Sequence, residues 1–564
     1  MSFYLNKKRC FKMNGYTAVA KILKKEGFEW MACFPANPLI EAVAKEGIRP
    51  ITFRQERGGI MAADAYSRHM ASKGKYGLFA CQGGPGIENS FGAIAQAYAD
   101  SVPLLFLPDG PGNYKSSVKP NFSGPQNYQH ITKWSASIRN VNEIPDLMRR
   151  AMTALKNGRP GPVMLEMHRD VMPDEIKDVQ YELTQKYISI PDINDTRKAL
   201  QKILHAKKPV IWAGQGVLYS GGTKELQQLS ELIQVPVITT MPGKSAFNEN
   251  HTLSLGSSNR TAPKPVWTWL KESDVIFAIG ASLTVTNYGI DIPSGKFLIH
   301  STNNVDDISK EYKTDIGLIG DAKETFKILI NEFKSIIDDP NNINIKTKIK
   351  NSSIKDDIKQ VREEWIDEWE PTLKSNVMPI NPYRVIYEID NHIDHETSVV
   401  THDAGHPRDE IMPFYTASVP HSYIGWGKTT HLGYGIPLMI GAKMADPSKF
   451  CMNIMGDAAF GMSGLDIETS VRAKVPITTV VLNNGTMGGY NHSLPNAMEK
   501  YDAANMTGDY AKIAEGMGAI GIRIENPEEI GDAIKRAKEI NFQELRSVLI
   551  DIKTQQQMEF SIYS

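Results

Sequence analysis

Cysteine is scarce in this chain. Four residues in 564 (Cys10, Cys33, Cys81 and Cys451), far apart, exclude a disulfide framework and a paired-cysteine zinc site, and fit a reducing, cytoplasmic setting. Charge of one sign is not in excess either. Lys plus Arg number 63 and Asp plus Glu 64, leaving a net charge of −1, so the counterion-driven grip on nucleic acid has no overall basic surface to act through. No apolar run reaches the roughly 20 residues of a membrane-spanning helix. The opening MSFYLNKKRCFKMNGY carries basic residues but no apolar core and no small-residue cleavage site, so a secretory signal is not expected. A short-period repeat is also missing, which removes solenoids and propellers.

What is present is 41% hydrophobic residues, enough for several cores, arranged in three stretches where short apolar runs alternate with helical periodicity. The first covers residues 12–185, with strands near Trp30–Phe34, Tyr76–Cys81 and Leu104–Leu107 and helices over Gly59–Met70 and Ile87–Tyr98. The second covers 192–340, with strands near Val210–Ala213, Val235–Thr239, Val275–Ile279 and Lys296–His300. A polar linker, 341–374, runs into an exposed helix. The third covers 375–555, with strands near Thr397–Thr401, Phe450–Met455, Thr478–Leu482 and Ser547–Ile550. The closing QQQMEFSIYS reads as a tail without clear structure. The expected fold is α/β, with three doubly wound parallel-sheet domains.

Ligands of such sheets sit at the carboxyl ends of strands, where helix N-termini open. The segment beginning FCMNIMGDAAFG is the most informative of these turns. A hydrophobic strand ends at Gly456-Asp457-Ala458-Ala459; a helix capped by Ser463, with Asp466 three residues on, is expected next; a second strand ends at Asn483-Asn484. In a right-handed βαβ unit both turns open at one sheet edge. A carboxylate, an amide oxygen, a carbonyl and phosphate oxygens make an oxygen shell that suits Mg²⁺. Gly456 permits close approach of a phosphate, and the amides of Ala458 and Ala459 can donate to it. Gly-Asp-Ala recurs at 320–322 and 531–533 without a following Asn pair, and there it reads as an ordinary turn.

This segment resembles the diphosphate-binding motif of thiamine diphosphate enzymes, Gly-Asp-Gly followed by Asn-Asn, with Ala458 in the third place. The resemblance implies that Asp457, the Asn484 side chain and the Thr486 backbone oxygen hold Mg²⁺, with Met487 and Gly488 along the cofactor. Further upstream, PITFRQERGGIMAADAYSRHM resembles the catalytic-glutamate segment of that family. Glu56 would then be hydrogen-bonded to N1′ of the aminopyrimidine, which promotes the imino tautomer whose N4′ takes the C2 proton. The loop Gln82-Gly83-Gly84-Pro85-Gly86, running on to Asn89, resembles the family's Gly-Pro-Gly loop, with Gln82 as a substrate contact and Asn89 near the cofactor. The segment from Gly425 to Pro437 resembles the cofactor support of acetolactate-synthase-like members. By that match Thr430 supplies a carbonyl to N4′ and Leu432 the apolar wedge between the rings. Asp403-Ala404-Gly405-His406 matches a loop reaching the diphosphate, with His406 as the contact.

The resemblance spans about residues 15–550 and is to the large subunit of acetolactate synthase, with pyrimidine, central and diphosphate domains. Two departures count against the FAD that the central domain often holds: Ser301-Thr302-Asn303-Asn304 after His300, and Ala281-Ser282-Leu283-Thr284 after Gly280. After Asn484 the tryptophan of strict acetolactate synthases is missing, and Ser493 stands near its place. The implied activity is a thiamine diphosphate- and Mg²⁺-dependent decarboxylation or carboligation of 2-oxo acids, in a homodimer or homotetramer with active sites between subunits. A 2-hydroxyacyl- or oxalyl-coenzyme A lyase is the alternative within that chemistry, suggested by Phe460–Thr469. A non-catalytic binding or regulatory member of the fold is the alternative outside it.

Overall fold

The computed structural model describes residues 13–116 and 118–563, with Asn491 and His492 described by backbone alone; Cys10 and the reading of the first twelve residues lie outside. The chain divides into two compact units, one holding residues up to Ala63 with Lys75–Lys186, the other Asp64–Gly74 with Tyr187 onward.

The first unit is built on a seven-stranded sheet. Its order is Arg49–Thr52, Trp30–Cys33, Gly77–Ala80, Leu104–Phe106, Val163–His168 and Asp109–Gly110, with Trp134–Ile138 also paired to Val163–His168. Every pairing in it is parallel, Trp30 beside Arg49 and Leu104 beside Gly77 among them. Parallel strands covered by helices are buried on both faces, and the runs WMAC, GLFA and VMLEMH are buried at every position.

The second unit holds two six-stranded parallel sheets. The central one runs Ser254–Ser258, Val237–Thr240, Pro209–Ala213, Val275–Ile279, Phe297–Thr302, Ile316–Ile319. The other runs Tyr423–Ile424, Ser398–His402, Phe450–Gly456, Thr478–Asn483, Val548–Lys553, Ile520–Ile524. In this third sheet the chain leaves Ser398–His402 for the edge strand Tyr423–Ile424, then returns past it to Phe450–Gly456. The turns after those two neighbouring strands therefore diverge, and a crevice opens between their carboxyl ends, at residues 403–406 and 456–457. Three α/β domains are present, as the sequence implies.

Four expectations change. The polar stretch after 341 is helical, as Ile343–Lys350 and Ile354–Leu373; the latter buries Ile358, Trp365, Trp369 and Leu373, an i, i+4 stripe from Trp365 on that packs inward. The helix after Gly456 starts at Asp457 at once and ends at Ser463, so Ser463 closes a helix instead of capping one. A second helix, Asp466–Arg472, follows after Gly464 and Leu465, and Gly464 packs on the Phe460 ring, where a Cβ would meet it at 2.6 Å. The Gly-Asp-Ala at 531–533 is helical rather than a turn, inside Ile530–Gln543, while at 320–322 Asp321 caps the helix Ala322–Asp338. The tail has no helix or strand but is anchored. Ala262 N and Ser561 O, Trp365 Nε1 and Ser561 Oγ, and Tyr383 Oη and Glu559 O are hydrogen-bonded at 3.0, 3.0 and 2.8 Å. Among the described residues no helix is long and apolar enough to cross a membrane.

Candidate active site

The crevice at the third sheet is a cavity of about 250 Å³. His406, Thr430, Leu432, Gly456, Asp457, Ala458, Ala459, Asn484, Thr486, Met487 and Gly488 all line it. Eleven residues singled out from four separate stretches of sequence thus share one space. The reason is topological: each stretch is the turn at a carboxyl end of one of four strands, and parallel strands bring all such ends to one edge.

Asp457 heads its helix and is buried. Its Oδ2 accepts from Gly485 N at 2.9 Å, while Oδ1 is buried with no hydrogen-bond partner among the described residues. Burial pushes this carboxyl up to about 6, against the pull of the Gly485 and Asn484 amides. A desolvated carboxylate oxygen left unpaired is costly, and a cation is the ligand that would satisfy it. Asn484 Oδ1 accepts from Thr486 N at 3.1 Å, which folds the strand end back so that both residues face the cavity. An amide oxygen with one bond made has a second lone pair to offer. Among the described residues no cluster of three or more His, Cys, Asp or Glu could hold a metal. A metal at Asp457, Asn484 and the Thr486 carbonyl would therefore draw its remaining ligands from a bound anion and water, as a phosphate-held Mg²⁺ does. Gly456 leaves room for that anion: a Cβ built there has only Pro407 Cγ within 4 Å, at 3.8 Å.

Asp403 was missed as a positioning group. It is fully buried, and its two oxygens accept from Ala404 N, Gly433 N and Gly435 N at 2.7, 2.9 and 2.8 Å. It thereby ties the His406 turn to the Thr430–Leu432 segment, where Thr430 takes a left-handed φ of 51°. Behind that segment, Arg68 bonds Asp64 and the Gly425 carbonyl, and Tyr434 Oη donates to Asp64 at 3.1 Å. His406 packs edge-on against Phe560 of the tail and sits 3.2 Å from a Cβ built on Gly488; burial lowers its imidazole. The cavity also takes Tyr288, Arg408, Glu410, Thr554 and Gln555. None belongs to a motif, since they come from a central-domain loop, from further along the His406 helix and from the chain's last strand end.

The remaining three candidates lie in the first unit. Glu56 opens the helix Glu56–Met70 and is only 2% exposed. Asn89 Nδ2 donates to its Oε2 at 3.3 Å, and a Cβ built on Gly86 would stand 3.3 Å from Oε1. Gln82 is half-buried on the same loop, whose helix Pro85–Ala99 starts after Gly84 at φ 63°. The Gly-Pro-Gly turn is thus needed to bring the Pro85–Ala99 helix against a buried carboxyl.

A parallel-sheet protein with a cavity at a switch point, lined by backbone turns and a buried carboxylate, is the class these observations define. Family comparison makes it specific. Residues 13–133, 196–329 and 403–552 match the models described as thiamine pyrophosphate enzyme, N-terminal TPP binding domain, central domain and C-terminal TPP binding domain. These matches cover most of the chain, which belongs to the thiamine pyrophosphate (thiamine diphosphate) enzyme family. Among its relatives are the probable acetolactate synthase large subunits of Methanococcus aeolicus, 29% identical over 93% of this chain and 90% of the relative, and of Methanocaldococcus jannaschii, 28% identical over 96% and 92%. The glyoxylate carboligase of Escherichia coli O157:H7 is 25% identical over 96% and 93%. The chain is a thiamine diphosphate-dependent, acetolactate synthase-like enzyme.

Proposed function

We propose that the enzyme requires Mg²⁺, decarboxylates a 2-oxo acid and joins the remaining acyl group to a second carbonyl compound, at a site shared by two subunits of a homodimer or homotetramer. The observation that carries the reading is the unpaired, buried Asp457 Oδ1 beside Asn484 and Thr486 in the switch-point cavity. The relatives named acetolactate synthase and glyoxylate carboligase support the carboligase half.

Thiamine diphosphate, once bound, supplies a nucleophilic carbon and an electron sink for the substrate carbonyl. Asp457, Asn484 and the Thr486 carbonyl would hold Mg²⁺, and the Ala458 and Ala459 amides and His406 would bind the diphosphate. Met487 and Gly488 would lie along the cofactor, Leu432 would give its rings an apolar support and the Thr430 carbonyl would accept from its amino group. Glu56 holds a proton at the aminopyrimidine N1′; burial keeps water from competing for that carboxyl, and Asn89 fixes its orientation. Gln82 contacts the substrate. No FAD is assigned to the central domain.

The test is a screen of 2-oxo acids and acyl-coenzyme A thioesters with and without thiamine diphosphate and Mg²⁺, reading CO₂ and products by mass spectrometry. CO₂ release with a new C–C bond from a 2-oxo acid is expected. Thioester cleavage alone would replace this reading with the lyase, and cofactor binding without turnover would replace it with a non-catalytic role. Subunit sharing is tested by mixing Glu56→Gln with Asp457→Ala. Under random pairing, activity should return to roughly a quarter of wild type, because half the dimers are hybrids with one good site of two. No recovery despite subunit exchange would mean that each site is built within one chain.

A further inference from the structure

The helix His406–Phe414 begins at the cavity, with Pro407 the nearest neighbour of the Gly456 turn and His406 against Gly488. Its third residue, Arg408, also lines the cavity and is 2% exposed. A guanidinium so buried needs all its N–H groups satisfied. Nε and Nη2 both donate to Asp409 Oδ1 at 2.8 Å, and the Tyr288 ring lies 4.4 Å from the guanidinium carbon. Nη1 has no partner among the described residues.

The surrounding charge does not cancel Arg408. Asp409 is shared: Asn259 Nδ2 donates to its Oδ1 at 3.3 Å, and Arg260 stands 3.8 Å from its Oδ2. Two guanidiniums thus meet one carboxylate. Glu410, which also lines the cavity, is buried, and burial pushes its carboxyl up to about 8, which disfavours its charged form beside Arg408. Arg408 thus keeps one buried donor without a partner among the described residues, in the cavity that also holds Gly456 and Asp457.

We propose that Arg408 is a second anchor for the cofactor's diphosphate, donating through Nη1 to the terminal phosphate group, so that protein and metal share that group's charge. The inference rests on thiamine diphosphate binding as read above. It assigns to Arg408 a specificity role: telling a diphosphate from a monophosphate.

The experiment titrates thiamine diphosphate and thiamine monophosphate into the full-length protein at fixed Mg²⁺, following tryptophan fluorescence, for wild type, Arg408→Gln and Arg408→Lys. Loss of a hydrogen bond to a charged group predicts that Arg408→Gln weakens the diphosphate about 10- to 100-fold and the monophosphate by less than about twofold. The Mg²⁺ needed for half-saturation with the diphosphate should rise as well. Arg408→Lys, which keeps the charge and loses the planar fork, should fall between the two and serves if the glutamine variant does not fold. Equal weakening of both ligands, or no change in either, overturns the proposal while leaving the functional reading intact. Failure of the wild type to bind thiamine diphosphate overturns both.

Discussion

The central and third sheets have six strands each, all parallel, with glycines at the carboxyl edge of both, yet only the third opens into the candidate site. In the central sheet Gly214 N and Gly216 N donate to Ile279 O and Gly280 O, each at 2.8 Å. A Cβ on Gly214 would stand 2.4 Å from the Gly280 carbonyl oxygen, and one on Gly216 would stand 2.7 Å from Gly280 Cα. These glycines let two turns touch, and the contact uses their amides. His300 Nε2 bonds the Ala281 carbonyl at 2.9 Å and Thr302 Oγ1 donates to Asp307 at 3.2 Å, so those polar groups are turned to their own chain too. Among the described residues at the third sheet, Gly405 has nothing within 4 Å of a built Cβ, Gly456 almost nothing, and Asp457 Oδ1 and His406 Nδ1 lack hydrogen-bond partners. One residue type closes one sheet edge and keeps the other open. What differs is whether the neighbouring turns converge on the glycine or diverge from it.

The largest effect that would test this contrast is at Asp457. Asp457→Ala removes the one carboxylate of the proposed metal site, and losing one partner of a buried ionic contact costs about 3–5 kcal/mol, roughly two to three and a half decades in thiamine diphosphate affinity at limiting Mg²⁺. The apo-protein should melt no lower than wild type, since the variant deletes a desolvated group that is half unpaired. Calorimetric titration and thermal melting read the two quantities, and unchanged affinity would remove Asp457 from the site.

Paired glycine substitutions come next. Gly214→Ala forces a methyl into backbone and should cost about 1–3 kcal/mol, lowering the apo melting temperature by several degrees. Gly456→Ala, at an ordinary φ of −94° with open space, should leave melting unchanged and weaken thiamine diphosphate alone. Reversed outcomes would show that the two edges had been confused.

A smaller effect is set by Glu410, whose carboxyl is pushed up to about 8, by burial first and by Asp409 second, from an ordinary value of 4.5. Between those values the unfolded chain gives up the proton and the folded one keeps it. Glu410 therefore subtracts stability as pH rises from about 4.5 to about 8, and the loss levels off above. Denaturation midpoints of Glu410→Gln and wild type should nearly coincide near pH 4.5 and separate, variant higher, toward pH 8. A constant gap would place the effect elsewhere. The smallest effect predicted is none: with the central edge satisfied by its own chain, flavin added to the protein should leave its visible spectrum that of free flavin. Co-purification of one flavin per subunit would show that the central edge opens.

Much of the site was legible because its parts are short and local. Gly456-Asp457 and Asn484 each end an apolar strand, and Glu56 and the loop from Gln82 to Gly86 each follow one; periodicity placed them at strand ends, and the resemblance to thiamine diphosphate enzymes is what singled out Glu56 and the Gln82 loop. Ser463 misled because a hydroxyl three residues before an acid is a capping pattern on sequence grounds, while the helix already starts at Asp457 and Ser463 is its last residue. The tail misled for the opposite reason: QQQMEFSIYS has no periodicity, and its order comes from Trp365, Tyr383 and Ala262, distant partners that no local pattern announces.

The sequence by itself determined the alternation of strand and helix, hence three parallel sheets, and it determined which residue types stand at the strand ends, because both are written within windows of a few residues. Only the tertiary structure decided that the turns at the third sheet gather around one cavity while Gly214 and Gly216 at the central sheet pack against Gly280, and that Arg408, Asp403, Tyr288 and Gln555 belong to the surroundings of that cavity. Both sheets reverse their strand order, between Pro209–Ala213 and Val275–Ile279 and between Ser398–His402 and Phe450–Gly456, so strand order alone does not separate them; how the turns after those strands pack does.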